Sequence, residues 1–365
     1  MGPFPHNAPH AEISKSNPAG TNGFAFVEFA HPEPEKLSEL FTSMGFAPLA
    51  KHKNKEITLW QQGDVTYVVT AEKESFATHF VEEHGPCAVS MGWHVVDAQH
   101  AFEHAIAHGA EAADADGLTF DVPAIKGIGG SLIYFVEGGD VPKSDAFDWR
   151  DASAPEGAGL YYIDHLTHNV FRGRMDVWAG WYEKLFGFKE IRFFDIEGKM
   201  TGLFSRAMTS PCGKIRIPIN ESADEHSQIE EYLKQYNGEG IQHIACGCHD
   251  IYKSVDNLAA NGLKFMPKPP QAYFDKIDSR LPGHGEPIEE MEKHGILIDG
   301  EGVVDGGHTK VLLQIFSKTC IGPIFFEFIE RKGDDGFGEG NFRALFESIE
   351  EDQIRRGVLT MDAAE

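Results

Sequence analysis

Three side chains of this 365-residue chain have types and places that could do chemistry together: His165, His243 and Glu327. Two imidazoles and one carboxylate are the complement of a facial triad, the donor set that holds non-haem Fe(II) and leaves neighbouring coordination positions open. Neutral imidazole nitrogen and carboxylate oxygen suit a borderline metal such as ferrous iron, and no thiolate occupies any of the three positions. The three lie far apart in the chain, so they must come from different strands, which a closed sheet would bring together.

The elements that position them form an internal repeat. Phe26-Val27-Glu28-Phe29, with an amphipathic run ending in Ser43-Met44-Gly45-Phe46, matches Ile163-Asp164-His165-Leu166 and a run ending in Leu185-Phe186-Gly187-Phe188. The second copy is five residues longer. Val89-Ser90-Met91 followed by Asp97 to Gly109 matches Gln242-His243-Ile244 followed by Asp250 to Gly262 at a constant offset. Ile133-Tyr134-Phe135-Val136-Glu137 matches Phe326-Glu327-Phe328-Ile329-Glu330. Each half therefore reads as two strand–helix–strands modules with alternating apolar and polar residues. The two copies act as an internal control: at the matched positions the first carries Glu28, Ser90 and Tyr134, so the ligand set belongs to the second half alone.

Composition sets the boundaries of both structure and function. Residues 1–20 read as a disordered polar arm, 21–140 as a first domain, 141–159 as a Gly/Pro/Ser-rich linker and 160–365 as a second domain. The second domain contains a Pro-bounded insertion of about forty residues, PKPPQAYFDKIDSRLPGHGEPIEEMEKHG among them. It ends in a helix predicted over about 341–356, with Phe342, Leu345, Phe346 and Ile349 at helical spacing. With 32 Lys+Arg against 57 Asp+Glu the formal charge is −25, which excludes a basic nucleic-acid footprint and an anionic membrane surface as partners. No apolar stretch reaches the ~18 residues of a membrane span, and no hydrophobic signal core is seen. Five cysteines are odd in number and too sparse for a disulfide framework, so a cytoplasmic protein that works in a pocket is expected.

Three further patterns are set aside. Cys246 and Cys248 fall on the strand face opposite His243, so they read as small packing residues. His100, His104 and His108 are spaced for one helix face, but the matching residues of the second copy are Lys253, Asn257 and Asn261, which reads as a solvated face. Gly336-Phe337-Gly338-Glu339-Gly340 has the place of a phosphate loop, yet Asp334, Asp335 and Glu339 make it anionic and no Lys-Ser/Thr pair follows. A glycine-hinged gate is the better reading.

Ile-Asp-His-Leu at His165, Gly240-Ile241-Gln242-His243-Ile244-Ala245, Pro218-Ile219-Asn220-Glu221, Leu312-Leu313-Gln314-Ile315-Phe316 and Phe325-Phe326-Glu327-Phe328-Ile329-Glu330-Arg331 resemble the 4-hydroxyphenylpyruvate dioxygenase family, as does Gly336 to Phe342. The likeness runs from about Gly23 to Leu359. It implies an α+β, vicinal-oxygen-chelate fold: two tandem domains, each of paired βαβββ modules forming an open barrel, with a C-terminal helix. It also implies a metal-free first domain and a catalytic second one. The family's iron ligands fall on His165, His243 and Glu327, with one Fe(II) per chain. The implied reaction joins 4-hydroxyphenylpyruvate and the co-substrate O2 to give homogentisate and CO2, in tyrosine breakdown. Family members are dimers or tetramers. Ser205, Asn220, Gln228 and Gln314 match the family's polar substrate contacts, and Phe316, Phe337 and Phe342 its ring walls near the metal; Asn341 belongs to the same set. Gln242 matches too, although strict pleating points it away from His243. A 4-hydroxymandelate synthase would resemble this pattern with an aliphatic residue in place of Phe342. A zinc hydrolase and a non-catalytic binding protein on the same scaffold are the other readings open at this point.

Overall fold

Runs rich in β-branched and aromatic residues dictate the strands; Val65–Thr70, VTYVVT, is buried along its whole length. The computed structural model describes residues 9–138, 145–150, 153–198, 200–304 and 308–359; the first eight residues of the expected arm lie outside these. The first half contains β1 (Thr21–Ala30), α1 (Pro34–Ser43), β2 (Ala47–His52), β3 (Ile57–Gln62), β4 (Val65–Thr70), α2 (Phe76–His84), β5 (Cys87–Val95), α3 (Ala98–Ala107), β6 (Ala124–Lys126), β7 (Leu132–Glu137) and β8 (Phe147–Trp149). The second contains β9 (Leu160–Asn169), α4 (Met175–Phe186), β10 (Lys189–Glu197), β11 (Gly202–Thr209), β12 (Arg216–Ser222), α5 (Gln228–Tyr236), β13 (Gly240–Cys248) and α6 (Ile251–Ala260). It continues with α7 (Gln271–Phe274), α8 (Ile277–Arg280), α9 (Ile288–His294), β14 (Leu297–Val304), β15 (His308–Phe316), β16 (Phe325–Lys332) and α10 (Glu339–Arg356).

Each half builds one eight-stranded sheet, in the orders β6-β7-β5-β1-β4-β3-β2-β8 and β10-β11-β12-β9-β13-β16-β15-β14. Within a module the first strand pairs in parallel with the last, as β9 does with β12 and β13 with β16. Antiparallel pairs β1–β5 and β9–β13 join the modules. The repeat extends to the caps. Asp97 accepts from the His100 amide at 2.8 Å to start α3, and Asp250 accepts from the Lys253 amide at 3.1 Å to start α6. The two halves share a core: Trp93 of β5 stacks on Phe188 with centroids 5.6 Å apart, and Tyr67 of β4 reaches Cys246 Sγ at 3.0 Å.

Three local expectations are corrected. Residues 14–20, placed in the disordered arm, fold against the first strand: Asn17 and Ala19 are buried, and Asn17 Oδ1 accepts from the Thr21 amide at 2.9 Å. Part of the expected linker is strand β8, which pairs with β2 and supplies the eighth strand of the first sheet, at the edge opposite β6. The repeat register also differs. His165 and Glu327 both lie level with Ala245, whereas Phe26 and Tyr134 both lie level with Gly92. Phe26, not Glu28, therefore occupies the place of His165, and Glu28 occupies that of Thr167. A slip of two residues preserves the strand face, so alternation alone does not reveal it.

The first half places rings at the equivalents of His165 and Glu327, Phe26 and Tyr134 lying 5.8 Å apart between centroids. Beside them Glu28 is fully buried and accepts from Thr70 Oγ1 at 2.7 Å, from Ser90 Oγ at 2.5 Å and from Thr119 Oγ1. Burial raises its carboxyl above the ordinary value, and the three hydroxyls only partly offset this. The folded chain therefore keeps a proton that the unfolded chain releases, so this group's contribution falls as pH rises through the native value. The melting temperature of the wild type, relative to Glu28→Gln, is expected to drop as pH is raised from the carboxylate range to neutrality. Parallel melting curves for the two proteins would contradict this.

Candidate metal centre

The candidate ligands come from three adjacent strands, β9, β13 and β16, which are central in the second sheet. Ala245 lies between His165 and Glu327 in the register, a small residue that leaves room on the shared face. His243, two residues earlier on β13, has its side chain on that face as well. All three are buried, and Nε2 of His165 lies 3.2 Å from Glu327 Oε2 while Nε2 of His243 lies 3.3 Å from the same oxygen. The two Nε2 atoms are 3.4 Å apart, which closes a near-equilateral triangle of donor atoms. Among the described residues this is the single group of three such side chains close enough to hold a metal ion.

The protein fixes which atom each ligand presents. Asp164 Oδ1 accepts from His165 Nδ1 at 2.8 Å, so Nε2 is left facing Glu327. His243 Nδ1 lies 3.0 Å from Gln242 Oε1, which commits that ring in the same sense. Glu327 Oε1 accepts from Gln314 Nε2 at 2.8 Å, leaving Oε2 for the triangle. Burial by itself would raise the Glu327 carboxyl, but the facing His165 and His243 hold it down at about 2. Burial opposes charge on His165, yet Glu327 and Asp164 outweigh it and raise this imidazole above the ordinary value. On His243 burial wins and lowers the value. A carboxylate kept ionised beside imidazoles with their Nδ1 protons committed is a donor set suited to a divalent cation.

The expected substrate residues fall into three groups. Ser205, Asn220, Phe316, Phe337 and Phe342 line a cavity of about 30 Å³ together with the three candidate ligands. Gln314 and Asn341 lie behind Glu327 as a buried chain: Asn341 Nδ2 donates to Gln314 Oε1 at 2.8 Å, and Tyr273 OH donates to Asn341 Oδ1 at 2.9 Å. Gln228 and Gln242 line a second, larger cavity of about 380 Å³ beside the C-terminal helix. Gln242 reaches His243 because the β9–β13 register shifts between Ile241 and His243, a bulge that re-aims the side chain despite its pleat position. Sequence reasoning missed Asp164 and Tyr273, as well as the inner wall supplied by Thr167, Phe194, Pro218 and Leu345. A carboxylate directly before a candidate histidine was the one legible signal.

The paired-module sheets and the buried triad define a member of the glyoxalase/bleomycin resistance protein/dioxygenase superfamily, whose family model matches residues 162–296. Residues 15–149 match the model described as hydroxyphenylpyruvate dioxygenase, HPPD, N-terminal. The chain is 53% identical over 358 residues to the 4-hydroxyphenylpyruvate dioxygenase of Pseudomonas aeruginosa, covering 96% of this chain and 99% of that one. It belongs to the 4-hydroxyphenylpyruvate dioxygenase family. It is also 54% identical over 358 residues to hemolysin VllY of Vibrio vulnificus, with 95% and 99% covered. Among solved structures, a triple mutant of 4-hydroxymandelate synthase from Streptomyces coelicolor matches with a TM-score of 0.78 at 25% identity, over 91% of this chain and 99% of that one.

Proposed function

We propose that this protein is a non-haem Fe(II) dioxygenase that converts 4-hydroxyphenylpyruvate and O2 to homogentisate and CO2 in tyrosine catabolism. The observation that carries the reading is the buried His165–His243–Glu327 triangle, in a chain half identical over nearly its whole length to dioxygenases of that name. Ferrous iron held there would supply a template for the two oxygens of a 2-oxo acid and the electrons for O2. The chain's own residues bind, orient and exclude water. Asp164 and Gln242 keep the Nδ1 protons on the two rings, so each presents the same nitrogen throughout. Phe316, Phe337 and Phe342 wall the space for an aromatic ring. Asn220 Oδ1 is buried and has no hydrogen-bond partner among the described residues, an acceptor that suits a phenol hydroxyl. Ser205 lies directly opposite Asn220 in the β11–β12 ladder and adds a second polar contact.

The division of labour follows the two halves. Residues 21–140 form the metal-free domain and 160–365 the catalytic one. No helix among the described residues is long and apolar enough to cross a membrane. A cytoplasmic location is supported by five free cysteines. A homo-oligomer, dimer or tetramer, is supported by exposed Ile191 and Phe193 on the edge strand β10. The test is direct: purified protein loaded with ferrous iron is expected to convert 4-hydroxyphenylpyruvate to homogentisate, read by chromatography. Recovery of 4-hydroxymandelate alone would assign it the synthase reaction instead, against the bulky Phe342.

A further inference from the structure

Arg331, at the end of β16, carries a buried cation that the reaction outlined above does not use; its side chain is 1% exposed. One edge of its guanidinium grips Asp164, Nε to Oδ2 at 2.7 Å and Nη2 to Oδ1 at 2.8 Å. That same Oδ1 holds His165 Nδ1. The remaining nitrogen, Nη1, turns the other way and donates to the carbonyls of Gly336 at 2.6 Å and Asp334 at 3.1 Å. The loop so held delivers Phe337, whose ring meets that of His165 edge-on at 5.3 Å between centroids. It then passes through Gly338, in the left-handed region at φ 66°, into α10.

A single rigid fork thus spans the carboxylate behind a candidate ligand and the loop that closes the cavity. Planarity is what allows it: a guanidinium serves a bidentate carboxylate and outward carbonyls together, and an ammonium does not. The neighbouring Arg216 offers a comparison. It donates to the Asp335 carbonyl at 2.9 Å and lies 5.7 Å from the Phe337 ring, but its contacts are with the loop and not with Asp164.

We infer that Arg331 is a positioning residue that couples closure of the 333–338 loop to the orientation of His165; this rests on reading His165 as a metal ligand. Opening the loop withdraws two acceptors from a buried cation and loosens its hold on Asp164, so loop and ligand are set together.

The experiment compares wild type, Arg331→Lys and Arg216→Lys by anaerobic Fe(II) titration and by amide hydrogen exchange of the loop with and without Fe(II). In the wild type, Fe(II) is expected to slow exchange of the loop amides. In Arg331→Lys that metal-dependent protection should vanish, and Fe(II) affinity should fall about ten- to hundredfold. Arg216→Lys should exchange faster in the loop yet keep wild-type Fe(II) affinity and the metal-dependent protection. Wild-type Fe(II) affinity in Arg331→Lys, or loop protection that survives in it, overturns the coupling. Should Arg331→Lys fail to fold, Asp164→Asn keeps the size and the acceptor toward His165 while removing the charge; it should lose the metal-dependent protection, and retention would overturn the inference. A wild-type chain that binds no Fe(II) fails at the ligand reading itself and is seen before any variant is made.

Discussion

Alanine in place of His165, His243 or Glu327 is expected to abolish homogentisate formation while the chain stays folded. The three atoms of the triangle come from three strands, and none is duplicated by a nearby donor: among the described residues no further His, Cys, Asp or Glu joins the group. Losing a partner behind a ligand already costs about ten- to hundredfold in metal affinity, so losing a ligand should cost more than about a hundredfold. Metal content after dialysis and product by chromatography would check this, and turnover in His165→Ala would contradict it. Glu327→Gln is the more informative variant, because it keeps the volume and a partner for Gln314 yet removes the charge that holds the triangle together. The metal-free site also sets a pH dependence. His165 is raised above its ordinary value of 6.5 by Glu327 and Asp164, once they outweigh burial, so a proton competes for Nε2 up to higher pH than on a free imidazole. Metal affinity is expected to rise with pH through the neutral range, a trend that direct titration at several pH values would reveal or refute.

Much of this architecture was legible because a duplicated scaffold repeats its signals. The Asp97 and Asp250 caps and the matched strands before them mark the second module of each half at one offset. The ligand set stood out because the first copy lacks it. What the pattern could not supply was register. Glu28 and Phe26 share a strand face, and both precede the same amphipathic helix, so only the pairing of Phe26 with Gly92 shows which of them replaces His165. Gln242 illustrates a similar limit. Pleating pointed it away from His243, and a bulge that alternation does not reveal brought it back. Arg331 stood in a recognised motif without a role, because its partners Asp164, Asp334 and Gly336 meet only in three dimensions. Gln314 and Asn341 matched substrate contacts by resemblance, yet they lie in a chain that ends on Tyr273, within an insertion whose packing no periodicity encodes.

Removing the chain from Asn341 onward is expected to leave a protein that still takes up metal but makes product about a hundredfold more slowly, with O2 consumed out of proportion to homogentisate. The ligands all precede the cut, whereas Phe342 and Leu345 of α10 close the cavity over them. Phe342 stands edge-on to Phe194 with centroids 5.9 Å apart, so the helix and β10 together form the wall. About 30 Å³ is room for roughly two waters and not for an arylpyruvate, so this wall must move to admit substrate and return to exclude water. An outer cavity of about 380 Å³ is lined by Ile349, Asp352 and Arg356 of the same helix. What holds the helix shut is a buried latch more than its surface pairs. Glu350 Oε1 accepts from the amides of Met200 and Thr201 at 2.9 and 2.8 Å, while the Arg356–Glu231 pair is exposed and of little net worth. Glu350→Ala should therefore reproduce part of the truncation's loss, with product formed per O2 as the shared readout. An unchanged ratio in both proteins would mean that α10 covers the site without governing what happens in it.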